Sequence, residues 1–472
     1  MKMKLIKWNP ELQRNLWETI TPTKLIVMPV ILILIFFITG SASQLYMTSI
    51  ILFYIITIMV GSYLAGEEIP NEVQEKTWDW QRMSALTPLQ MTIGKLFGST
   101  IYQWYGGIIC LVVLIYSSFQ LDNTFWYTIQ VALTAVLAAT FFHSFAMILG
   151  IVSRDMPFGL RRVISIFILL SLSSFLIVVG TVIIYSSYVN RGLNEDIITK
   201  QINWFFIKLP LLTHILFFFI FLNIWSFWGL YRCFRTEMYY FNKPDLFAIF
   251  LLALPFYISG FYFNLPEKYY DFKVYLTFLF AGIAWFSYNA TFLTAFLDKM
   301  EIINFRRLFF HLKQNNYEKA LYDVPLWSVS LIIQIVSSFI ALILFTISSQ
   351  DLHQIEPEIP LKILFFLIVV NLFCIRDIGI FMINHFTQGK NAIGISIAYL
   401  FILYYILPAI LITTGNNHLL PACYPLPFTI KDFEFKFINI AIPFLEALIV
   451  VLIVRKIWIT KNQKVQESIL KK

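Results

Sequence analysis

Residues 47–66 read MTSIILFYIITIMVGSYLAG, and residues 67–90 continue as EEIPNEVQEKTWDWQRMSALTPLQ. The first stretch carries no charge and has the length, about 20 residues, at which a helix crosses roughly 30 Å of hydrocarbon. The second holds Glu67, Glu68, Glu72, Glu75 and Asp79 together with Trp78 and Trp80. Apolar runs of that first kind recur along the chain. They decide the fold class: an all-α integral membrane protein. The second stretch raises the question of why so apolar a chain keeps so charged and aromatic a connection.

The whole composition agrees with this reading. The 472 residues are 59% hydrophobic and 13% charged, with mean hydropathy +0.74. A soluble globular chain has about 45–50% apolar and about 25% charged residues. Twelve spans are expected, at 25–39, 47–66, 95–117, 125–152, 163–187, 204–230, 245–263, 274–297, 326–348, 361–383, 393–414 and 437–455. The formal charge of +8 reports orientation, not nucleic-acid binding: with the N-terminus inside, most of the 35 lysines and arginines fall on the inner side. Both termini are then cytoplasmic, and residues 67–90 face the cytoplasm. No cleavable signal peptide precedes the first span. The four cysteines, Cys110, Cys233, Cys374 and Cys423, show no metal-ligand spacing and imply no disulfide, with Cys423 expected to face outward.

The inner loops 67–94 and 298–325 close on similar phrases, SALTPL (84–89) and ALYDVPL (320–326). The expectation is two six-helix halves of the same topology, a common plan among transporters. The domains are then a cytoplasmic N-terminus over 1–24, a first half over 25–240, a second half over 241–457 and a basic tail over 458–472.

Residues 8–20, WNPELQRNLWETI, suit a short amphipathic helix. Asn9 caps it, Pro10 fits its first turn and Glu11 favours its positive end. Trp8, Leu12, Leu16 and Ile20 share one face, as in a helix lying in the membrane surface. Within 67–90, Pro70-Asn71 can start a second helix, with Asn71 and Gln74 as a capping-box pair. Thr87-Pro88 then ends it and opens the third span. Acidic residues are repelled by an anionic leaflet, and aromatic side chains in a polar setting anchor protein contacts. The segment therefore reads either as a docking element for a protein partner or as a solvated acidic loop with tryptophans at the interface.

The glutamate-rich end of the second span, the Glu and Thr residues of EVQEKT (72–77), "LTPL" and Gly94-Lys95 together resemble the ABC-2 type permeases of ABC transporters. The helix over 8–20 and GLYRCFRTEM (229–238) are similar to that family too. The resemblance covers residues 1–240; residues 241–472 share only the topology. It implies a permease subunit of an exporter, powered by separate ATPase subunits that dock on a coupling helix after the second span. Glu72, Glu75, Thr77, Trp78, Trp80 and Arg82 would then lie at the ATPase contact. Loop 298–325 would be the other docking element, but it is basic in balance where 67–94 is acidic, so two unlike contacts are expected. No Walker A pattern occurs. ATP and magnesium would belong to the partner, this chain needing no cofactor. A second permease chain is left open, and the lack of signal peptide and disulfides suits a bacterial inner membrane.

Among polar residues in the spans, Glu446 follows Pro443 near the middle of the last one. A charge at that depth costs roughly 2.5–3.5 kcal/mol on insertion scales, which marks either a transport pathway or an interhelical bond. His143, His214 and Asn289 are weaker candidates of the same kind, as are Asn223 and Asn371. Arg376 and Asp377 are expected at the inner edge of the tenth span as an ion pair. No nucleophile elbow, zinc spacing or paired carboxylates suggest an enzyme. The competing readings are an ion-coupled secondary transporter and a multi-span membrane transferase.

Overall fold

A computed structural model describes residues 9–121, 125–154, 201–261, 271–298, 300–355, 359–388, 392–423 and 437–470. The fifth expected span, 163–187, lies outside these residues. The described chain is helical apart from short connections and a hairpin of β1 (Gln201–Trp204) with β2 (Ile207–Pro210). Among the described residues nine helices are long and apolar enough to cross a membrane, and ten if one pair bent by 70° counts as a span. The protein is thus an all-α membrane protein. The chain forms two compact units, residues 1–202 with 208–242 and residues 203–207 with 243–472.

The first unit contains α1 (Pro10–Thr19), α2 (Pro22–Ile38), α3 (Ala42–Gln74), α4 (Trp78–Arg82), α5 (Pro88–Gly98), α6 (Ile101–Ser118), α7 (Phe125–Ser153) and α8 (Leu211–Glu237). The bent pair is α1 with α2. Asn9 caps α1 by accepting from the Leu12 amide at 3.2 Å. Thr87 and Gln90 form a reciprocal capping box at the start of α5, which fixes where the polar connection ends. Helices α3 and α7 cross closely. A Cβ on Gly150 would lie 2.1 Å from the Gly66 carbonyl oxygen, so small residues set this approach.

Two expectations are corrected here. No new helix starts at Asn71: α3 runs on through Pro70 to Gln74. It ends where Lys76 takes φ +61°. The Thr77 amide then donates to the Glu72 carbonyl at 3.0 Å and the Lys76 amide to Val73 at 3.2 Å, the hydrogen-bond pair of a Schellman motif. The sixth expected span begins late, at Leu211, because residues 201–210 form the hairpin instead.

The second unit contains α9 (Asp245–Ser259), α10 (Phe272–Leu297), α11 (Ile302–Lys313), α12 (Tyr317–Asp323), α13 (Leu326–Ile355), α14 (Ile359–Gln388), α15 (Ala392–Thr413), a 3₁₀ turn over Asn417–Ala422 and α16 (Ile438–Leu470). Helix α14 is its centre. It packs against α10, α13 and α16 and buries Phe365, Phe373 and Phe381. The 3₁₀ turn folds onto α16, and Cys423 beyond it is buried.

Candidate functional site: a charged junction in the first unit and an ion network in the second

The charged segment of the first unit is built on a lysine with no exposed surface. Lys95, in α5, is 0% exposed. Its ammonium lies 2.8 Å from Glu11 Oε1 and 3.3 Å from Glu68 Oε1, and it also binds Glu72. Arg14 reaches Glu11 at 2.7 Å and Glu72 at 2.9 Å, and Gln81 donates to Glu72 at 2.7 Å. A buried charge is tolerated only when paired and hydrogen-bonded, and these contacts meet that condition for Lys95. Burial pushes the Glu11 carboxyl up, but the Arg14 hydrogen bond and the Lys95 charge pull harder and hold it below its ordinary value. The neighbouring carboxylates raise Arg14, against the effect of burial.

This geometry turns α1 away from its expected orientation. Glu11 and Asn15 are buried, while Leu12, Leu16 and Ile20 of the expected apolar face are only half-buried. The cause lies in α5. A Cβ on Gly94 would come within 2.6 Å of Glu11 Cβ, and one on Gly98 within 2.5 Å of Asn15 Nδ2. The two glycines, four residues apart, form a groove that only this face of α1 enters. Asn9 also donates to the Gln90 carbonyl at 3.0 Å. Gly94, Lys95 and Gly98 together were the signal in the sequence: a small-xxx-small pair enclosing a cation.

Above the junction stands α4. Trp78 is 2% exposed and packs on Phe234 of α8 with ring centroids 6.3 Å apart. Arg82 binds Asp79 and lies 3.7 Å from Glu237 at the end of α8; Glu237 also pairs with Arg154 of the α7 end. Trp80, by contrast, is 77% exposed. The six expected contact residues therefore divide. Trp78 and Glu72 face into the chain and Arg82 is half-buried, whereas Glu75, Thr77 and Trp80 are exposed. The Thr77 hydroxyl donates back to the Glu72 carbonyl at 3.2 Å.

In the second unit, Arg376 and Asp377 do not end a span. Helix α14 runs straight through them, and both are buried. Arg376 donates to Asp377 at 2.9 Å and to Glu446 of α16 at 2.7 Å. Tyr404 of α15 donates to Asp377 at 2.6 Å, and the Tyr288 hydroxyl of α10 lies 3.3 Å from that of Tyr404. The guanidinium sits over the Phe373 and Tyr404 rings, 4.4 and 5.1 Å from their centroids. Residues of four helices thus surround the pair inside the unit, and α14 continues through it, although Arg376 Nη2 is buried without a hydrogen-bond partner.

The remaining candidates are placed separately. His143 is buried, and its Nε2 donates to the Thr57 carbonyl at 2.7 Å within a π-helical turn of α3, Tyr54–Val60. His214 is buried in α8. Asn289 is exposed and donates to Trp285 of its own helix at 2.8 Å, so it makes no bond between helices there. Asn223 does, donating to Leu137 at 2.7 Å, and Gln334 donates to Asn371 at 3.2 Å. Among the described residues no group of His, Cys, Asp and Glu is placed to hold a metal ion. Comparison with family models, curated proteins and solved structures finds no match to this chain.

Proposed function

We propose that this chain is the membrane-spanning permease subunit of an ABC-type exporter, powered by a separate ATPase that docks on α4. In this reading twelve spans form two six-helix halves, both termini are cytoplasmic and the membrane is a bacterial inner membrane. The observation that carries the proposal is the mounting of α4. It is a short helix at the end of a long apolar one, locked by Trp78 onto α8 and by Arg82 toward Glu237, with Trp80 turned outward. A force applied at Trp80 passes to α3, α5 and α8 through buried contacts. The Lys95 junction adds α1 to the same rigid group. That is the mechanical requirement of a coupling helix: an exposed aromatic anchor on a mount that does not yield.

The test is co-purification. The tagged chain is solubilised gently from its native membranes and assayed for ATP hydrolysis. A Walker-type ATPase that accompanies the wild type, and is lost from a folded Trp80→Ala variant, supports the proposal. Absence of any ATPase and of hydrolysis rejects it. The second reading, an ion-coupled secondary transporter, draws on the Arg376–Asp377–Glu446 network, because intramembrane ionisable groups often line ion pathways. It would require uptake or efflux driven by an ion gradient without ATP.

A further inference from the structure

The two charged connections that the sequence pairs as docking elements differ in more than sign. Helix α11, in 298–325, buries none of its side chains. Ile303 is 67% exposed, and Phe309 and Phe310 are each 56% exposed. At about 100° per residue, Arg306 and Lys313 project between Phe309 on one side and Phe310 with Ile303 on the other. Aromatic and basic side chains therefore alternate across one arc, exposed except for the half-buried Arg306.

The neighbours of α11 set its level. Phe305 meets Phe386 and Trp458 edge-to-face, with centroids 6.0 and 6.4 Å away, and Phe309 lies 5.8 Å from Trp458. Arg306 donates to the Lys461 carbonyl at 3.1 Å. Phe386 and Lys461 are at the very ends of two apolar spans, Lys362–Thr387 and Ile438–Lys461. A helix held against both ends lies where hydrocarbon gives way to headgroups. Arg455 and Lys456, exposed and within a turn of Trp458, add charge at the same level.

Two of the acids of 298–325 are engaged within the unit: Asp323 takes Arg307 at 2.6 Å and His311 at 3.6 Å, and Glu318 takes Lys243 at 3.3 Å. Glu301 is exposed at the start of α11 but lies off the arc of Arg306 and Lys313 at about 100° per residue, so the charge of that arc is cationic. We propose that α11 is an interfacial helix that binds acidic phospholipid headgroups, with Arg306 and Lys313 on the phosphates and Phe309, Phe310 and Ile303 among the upper acyl carbons. Charge complementarity selects an anionic bilayer, and the interleaved aromatics fit a helix lying in its surface. This inference rests on the chain spanning a membrane. It does not need the ATPase, so either proposal can fail alone.

The test uses the full chain in nanodiscs of phosphatidylcholine alone or mixed with phosphatidylglycerol, with no partner present. Hydrogen exchange is followed in peptides covering 302–316. The expected result is exchange about tenfold slower in the phosphatidylglycerol discs, as about 1 kcal/mol per cation near an anionic surface implies for two cations in part offset by salt. An Arg306→Gln, Lys313→Gln double variant should lose that difference while exchange in α13 stays unchanged. Equal rates for the wild type in both lipids would overturn the proposal. So would slowing that is the same in the double variant.

Discussion

The ammonium of Lys95 lies 2.8 Å from Oε1 of Glu11, joining the first helix of the chain to the entry of α5 through a contact with no exposure to solvent on the lysine side. The pair is one edge of a network in which Glu68, Glu72 and Arg14 also take part. It converts a surface-seeking helix into a fixed part of the first unit.

Lys95→Met should be far more damaging than Arg14→Gln. Removing one partner of a buried ion pair costs about 3–5 kcal/mol, because the others stay buried without it. Arg14 is 37% exposed at its side chain, so solvent screens its contribution. The thermal midpoint of the detergent-solubilised protein measures both, and equal losses would show that burial of Lys95 does not matter.

Gly98→Val should release α1. The Cβ alone meets Asn15 at 2.5–3.0 Å, and overpacking of this kind costs about 1–3 kcal/mol. Limited trypsin digestion after Arg14 reports the release; protection equal to the wild type would rule out a clash.

The docking of α1 should weaken in acid. The Glu11 carboxyl is held below its ordinary value in the folded chain, so its contribution is complete above the unfolded value of about 4.3. It is lost as pH falls through the lowered folded value, since the unfolded chain binds the proton first. Hydrogen exchange in residues 10–19 should therefore rise below about pH 4, and Glu11→Gln should show little of that rise.

The two tryptophans of α4 should separate stability from function. Trp78→Ala empties a buried site against Phe234 and should cost about 3–5 kcal/mol. Trp80→Ala removes an exposed ring and should leave the thermal midpoint within about 0.5 kcal/mol of wild type. A Trp80→Ala variant that unfolds early would mean that the ring packs in the chain's native setting.

Arg376 and Glu446 should be coupled. Arg376→Gln strands Asp377 and Glu446, and a second change, Glu446→Gln, should restore part of the loss. A double-mutant cycle on the unfolding midpoint should give an interaction of about 0.5–3 kcal/mol; additive losses would mean that the 2.7 Å contact contributes nothing.

The sequence announced the parts of this fold that depend on local chemistry. Asn9 caps one helix and Thr87-Pro88 opens another where the sequence predicts, and the long apolar runs among the described residues are helices. It was less able to say which face a helix buries. The period of α1 separates apolar from polar residues, but only the glycine groove and Lys95 on α5 make the side of Glu11 and Asn15 the inner one. Arg376 and Asp377 misled for the same reason: their partners, Glu446, Tyr404 and Tyr288, come from three other helices. Pro70 looked like a break because the chain's continuation through it depends on tertiary support.

The groove between Gly94 and Gly98 also orders events during synthesis. Glu11 and Asn15 leave the ribosome long before the residues that receive them. Until α5 has emerged, the seat of Glu11 and Asn15 does not exist. Helix α1 thus reaches its place only after α5 has been made.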